Sequence, residues 1–149
     1  VGDGTEEVRE FLAQELDRMA AAAGLDPVLL PGFEPRDGGY AFIELGGGGE
    51  LRLRACERGR LVRELVTHDP RELLYWALRD ASFEAAGRWA ARNREPGEAY
   101  RVTLWRRQFA VLNALEPEWA ARRRTELIDS LPTPEDVSLV PDLPRTLAS

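Results

Sequence analysis

Few side chains in this sequence could do chemistry. Asp80 and Glu84 stand one helical turn apart, and Arg101 follows in the next helical segment. Two carboxylates and a guanidinium converging on a cleft could support acid–base work or anion binding. Asp80 is flanked by Trp76 and Phe83 at spacings of four and three, so burial of its charge demands a partner. The plainer expectation is therefore an ion pair between Asp80 and Arg101, with Glu84 pairing along its own helix to Arg88. The lone histidine, His68, adjoins Asp69, but that aspartate already serves as a helix cap. His68 is expected to pack towards Leu73. The lone cysteine, Cys56, has no nearby histidine or lysine to lower its thiol pKa, so an inert thiol is expected.

Two runs invite phosphate readings and neither holds. A phosphate loop needs a helix after its glycines and usually Lys with Ser or Thr; Gly46-Gly47-Gly48-Gly49 leads into a strand instead. A flexible hairpin turn is the better reading. Arg122-Arg123-Arg124 spreads around a helix and has Glu118 and Glu126 at four-residue spacings, which reads as a solvated, acid-paired face.

Composition narrows the classes further. The 149 residues hold 20 basic side chains, every one of them arginine, against 26 acids, for a net charge of −6. Without lysine there is no Schiff base and no Walker lysine. One cysteine excludes an internal disulfide and zinc sites built on several thiolates, so neither metal nor cofactor is expected. The acidic balance argues against free nucleic acid as a partner and for a basic one. No stretch approaches the ~20 apolar residues of a membrane span, and the start lacks a secretory pattern, so no membrane partner and a cytoplasmic location are expected.

The elements that must position these residues follow from periodicity. Val8, Phe11, Leu12, Leu16, Met19 and Ala23 form one helical stripe, closed by Gly24. A Pro/Gly loop over 26–39 leads to three short strands: Tyr40–Leu45, the alternating Leu51–Cys56, and Arg60–Thr67 after a turn at Glu57-Arg58-Gly59. Such short links favour an antiparallel meander. Asp69, Pro70 and Glu72 announce a helix reaching about Asn93. Helices over Tyr100–Leu115 and from Pro117 to about Leu131 follow. Trp76, Trp89, Trp105 and Trp119 fall at helical spacings as core and helix-contact anchors. The expected fold is α+β: an N-terminal helix, a three-stranded meander and a three-helix C-terminal part. One domain spans 1–131, and the proline-rich residues 132–149 are expected to be an extended or disordered tail.

The middle of the chain has a recognisable order. A Glu57-Arg58-Gly59 hairpin is followed by Thr67-His68-Asp69 and by a helix opening with Glu72-Leu73-Leu74-Tyr75-Trp76. Asp80, Phe83 and Ala86 come next, then Arg101, Trp105 and Gln108, then the Pro117-Glu118-Trp119 helix start. Over about residues 40–131 this resembles the immunity protein 63 family, cognate antidotes of bacterial polymorphic toxin systems. The chain departs from the family pattern at Ala99, Val102 and Leu131-Pro132-Thr133. The resemblance implies a non-enzymatic cytoplasmic protein that binds the C-terminal domain of a cognate toxin and neutralises it. Gly59, Leu73, Leu74, Tyr75, Trp76, Asp80, Arg101 and Trp119 would carry the family pattern. The expected toxin contacts are Glu57, Arg58, Glu72, Arg79 and Glu84, although Glu57 and Arg58 could equally just shape the turn. A small adaptor domain, or an enzyme using Asp80, Glu84 and Arg101, stays open as the alternative.

Overall fold

The computed structural model of the chain describes residues 4–145 and divides into two compact units. The first holds residues up to Ala21 and Asp26–Leu78; the second holds Ala22–Leu25 and the residues from Arg79 onward.

In the first unit, α1 (Thr5–Ala23) buries Leu12, Leu16, Met19 and Ala20, a stripe at steps of four and three. Phe11, expected on that stripe, is instead 46% exposed. Three strands follow: β1 (Ala41–Leu45), β2 (Leu51–Glu57) and β3 (Arg60–Thr67). They form an antiparallel sheet in the order β1-β2-β3, with Ile43, Leu53 and Leu65 in one cross-strand row. The alternation read from the sequence is real: Leu51, Leu53 and Ala55 are buried, while Arg52, Arg54 and Cys56 stand on the wetter face. There Arg54 bridges Glu44 at 2.6 Å and Glu64 at 2.9 Å, one guanidinium tying all three strands. Its pKa is raised, chiefly by the hydrogen bond to Glu44. A bulge between Ala55 and Cys56 shifts the register of β3. His68 is exposed rather than packed.

The helix α2 (Pro70–Asn93) begins in the first unit. Asp69 is its cap, its carboxylate accepting from the Arg71 N–H at 2.9 Å, and Pro70 takes the first helical position. Leu73, Leu74, Tyr75, Trp76, Ala77 and Leu78 are all buried.

The second unit holds the rest of α2 with α3 (Tyr100–Leu115), α4 (Pro117–Ser130) and α5 (Pro134–Ser138). Ala86, Ala90, Leu104, Trp105, Phe109, Leu127 and Val140 make its apolar cluster, with Ile128 and Leu131 against it. Small residues on α2 let α3 come close: a β-carbon added at Gly87 would meet the Tyr100 hydroxyl at 3.1 Å, and that hydroxyl donates to the Gly87 carbonyl.

Residues 132–145 differ from the extended tail expected of them. Thr133 caps α5 by accepting from the Asp136 N–H, Val140 is buried in the cluster, and Arg124 donates to the Pro141 carbonyl at 2.8 Å. The prolines start and end this segment rather than unfold it. Residues 146–149 lie outside the described ones.

Candidate interaction site

The residues singled out for chemistry are already engaged within the chain. Asp80 and Arg101 do not meet. Asp80 pairs with its neighbour Arg79, the Nε to Oδ1 distance being 3.7 Å. Arg101 instead bridges Asp136 at 2.7 Å and lies 5.5 Å from the Trp105 ring centroid. The expectation fails because its alternative partner sits in the segment taken for a tail. Arg101 and then the Thr133 hydroxyl hold the Asp136 carboxyl below its ordinary pKa. Glu84 pairs with Arg88 at 3.5 Å, as its spacing predicts. The three groups of the enzymatic alternative thus bind three different partners rather than one open space.

A polar seam joins α2, α3 and α4. Gln108 is fully buried; its amide donates to the Arg79 carbonyl at 3.0 Å and to Ser82 Oγ at 3.2 Å. Its carbonyl accepts from Arg123 Nε at 3.1 Å. Arg79 also reaches Glu126 at 3.6 Å, and Glu126 takes Arg122 at 3.3 Å. Arg122, Arg123 and Arg124 are therefore not one solvated face: the last two clamp α3 and the C-terminal segment. Gln108 carried a signal in the sequence, as a polar residue on the buried stripe of Leu104, Val111 and Leu112.

Two other acids owe their state to arginine. Glu98 accepts from Arg106 at 2.5 Å and from Thr103 at 2.8 Å, which lowers its pKa. Arg18, through a hydrogen bond, does the same to Glu15 on α1.

The proposed contact residues fall into distinct settings. Glu57 and Arg58 are exposed at the tip of the β2–β3 hairpin, where Glu57 stands opposite Arg60 in the strand register. Arg58 and Gly59 form the two-residue turn, with φ of 53° and 74°. Asp37 holds that turn from outside, accepting from the Arg58 N–H at 3.2 Å and the Gly59 N–H at 3.1 Å. The tip is thus rigid while both side chains remain available. Beside it, Arg36 stacks 4.4 Å from the centroid of Tyr40, itself 59% exposed. Sequence reasoning had placed Asp37 in a plain loop; no local signal tied it to a turn twenty-odd residues on. Glu84 is exposed on α2, Glu72 is half-buried at its start, and Arg79 is half-buried within the polar seam. Leu73, Leu74, Tyr75, Trp76 and Trp119 are buried. Among the described residues, no three His, Cys, Asp or Glu side chains gather as a metal set, and no helix is long and apolar enough to cross a membrane.

Compared with known proteins, residues 47–129 match the family model described as Immunity protein 63. No curated protein and no solved structure matches the chain.

Proposed function

Since this chain belongs to the immunity protein 63 family, we propose that it is the antidote of a bacterial polymorphic toxin system. It binds the C-terminal toxin domain of its cognate partner directly and neutralises it by occupancy, in the cytoplasm and without chemistry of its own. The family match over residues 47–129 carries this reading. The engagement of Asp80, Glu84 and Arg101 with separate partners supports it, because none of the three is presented with the others to a substrate. The contact set we propose comprises Glu57 and Arg58 on the hairpin tip with Glu72, Arg79 and Glu84 on α2. Of these the tip is best suited: Asp37 fixes its backbone, so less order has to be imposed on binding.

Co-expression with the toxin domain encoded beside this gene tests the reading. Growth should be rescued by this chain and not by unrelated immunity proteins. Absence of a neighbouring toxin, or toxicity undiminished by ample soluble chain, would sink it.

A further inference from the structure

The two edges of the β-sheet differ. Along β1, the Ile43 N–H donates to the Gly32 carbonyl at 2.8 Å, and Gly32 forms a parallel bridge with Phe42, so the preceding loop covers that edge. β3 is the other edge, and among the described residues no backbone pairs with it except that of β2. The apolar cover thins in the same direction. In the cross-strand row of Ile43, Leu53 and Leu65, the first two are buried and Leu65 is half-buried.

The register identifies the groups of β3 that point outward. In an antiparallel ladder, successive residues turn their N–H and C=O alternately to one neighbour and to the other. The Cys56 carbonyl accepts from the Gly39 N–H at 2.8 Å, on the β1 side. Cys56, Arg54 and Arg52 therefore turn their backbone towards β1 and away from β3. Opposite them on β3 stand Leu61, Glu64 and Val66, with Val62 the extra residue of the bulge. These three present their N–H and C=O groups at the open edge. The side chains beside them are apolar and in water: Leu61 is 45% exposed, Val62 57% and Val66 46%. Glu64, the one acid of the strand, is already bridged to Arg54 at 2.9 Å. An unpaired edge with exposed apolar side chains is a template for strand addition.

We propose that the toxin domain adds an extended segment to this edge. Its main chain pairs with Leu61, Glu64 and Val66, and its apolar side chains lie beside Val62 and Val66. This rests on the antidote reading and deepens it by naming the mode of contact. The edge is continuous with the hairpin tip at Glu57 and Arg58, from which β3 departs. Backbone chemistry selects the occupant. Alternating donors and acceptors are matched by another extended backbone, whereas a nucleic acid would set phosphates against the three carbonyls and Glu64. A second copy of β3 fits poorly. Antiparallel pairing about Glu64 sets that carboxylate against its own like. Pairing about Leu65 carries Leu61 past the end of the strand, opposite the Asp69 that caps α2.

The test is residue-resolved amide hydrogen exchange of the full chain, alone and with the co-encoded toxin domain silenced at its own active site. In the free chain, Leu65 and Thr67 are bonded to β2 and should exchange slowly, while Leu61, Glu64 and Val66 exchange fast. The complex should slow those three at least about tenfold. Val66→Pro removes one outward N–H at a place where an edge strand tolerates proline, and should weaken binding at least about tenfold. If circular dichroism shows that this variant is unfolded, Val62→Lys with Val66→Lys keeps the backbone intact and should weaken binding by a similar factor. Val28→Lys, at an exposed apolar residue away from the sheet, should change nothing. A complex whose three amides exchange as in the free chain, or folded β3 variants that bind within about twofold of native, overturns strand addition and leaves the antidote reading standing. Native chain that fails to bind at all overturns the antidote reading, and the strand addition with it. Protection of the three amides that grows with the concentration of the free chain also overturns the proposal, since the edge would then belong to a second copy.

Discussion

Gln108→Leu tests the polar seam, because the change keeps volume and removes the amide alone. Three partners lose something. The Arg79 carbonyl loses one of two donors but keeps the Ser82 hydroxyl, which donates to it at 3.0 Å. Ser82 Oγ, in a fully buried residue, loses the amide donor it accepts from, and Arg123 Nε loses an acceptor in a half-buried setting. A neutral bond is worth about 0.5–1.5 kcal/mol net and a charged one about 1.5–3. The arginine can turn partly to water, and leucine regains some apolar burial. The expected cost is therefore about 2–4 kcal/mol. At about 2–4 °C per kcal/mol for a chain of this size, Tm should fall by roughly 5–15 °C. Urea unfolding should show a lower midpoint with unchanged slope. A loss below about 0.5 kcal/mol would mean that the seam is incidental and that α2, α3 and α4 are held by apolar contacts alone.

Other perturbations follow from the same geometry. Val140→Ala should cost about 2 kcal/mol, and truncation after Ser130 should lower Tm as well; native stability in the truncated chain would show that the C-terminal segment is only laid on the surface. Arg58→Asn should stabilise the chain by up to about 1 kcal/mol, since Asn-Gly suits a turn with two positive φ values better than Arg-Gly does; a loss in Tm would refute the turn assignment. Asp136 and Glu98 titrate below their ordinary values when folded, so their contribution is present above the unfolded carboxylate range and is lost as pH falls through the folded pKa. Native chain should thus lose stability below about pH 4, and Arg101→Ala, compared by acid titration, should show a weaker dependence there. An unchanged acid limb in that variant would contradict the Arg101–Asp136 bridge.

What was legible in the sequence follows the range of the interactions. The hairpin at Arg58-Gly59 and the Asp69-Pro70 helix start are written in adjacent residues, and both stand in the structure as read. The alternation of Leu51, Leu53 and Ala55 with Arg52 and Arg54 gave the buried face of β2 correctly. The failures are long-range choices among arginines. With twenty arginines and twenty-six acids, residue type alone cannot say whether Arg101 takes Asp80 or Asp136. The missed α5 is instructive, because Thr133, Pro134 and Asp136 repeat the start signal of α2. It was obscured by prolines on both sides and by a helix too short to show an apolar period. For the candidate site, the sequence identified the hairpin tip but not its brace, since Asp37 reaches it only through the fold.

Neutralisation by occupancy can be read from a titration of the toxin domain's activity with the purified chain. Activity should fall in proportion to added chain and vanish at one equivalent, with a stable complex recovered at that ratio. Toxin silenced lastingly by far less than one equivalent, with no complex formed, would show instead that the chain acts by turnover.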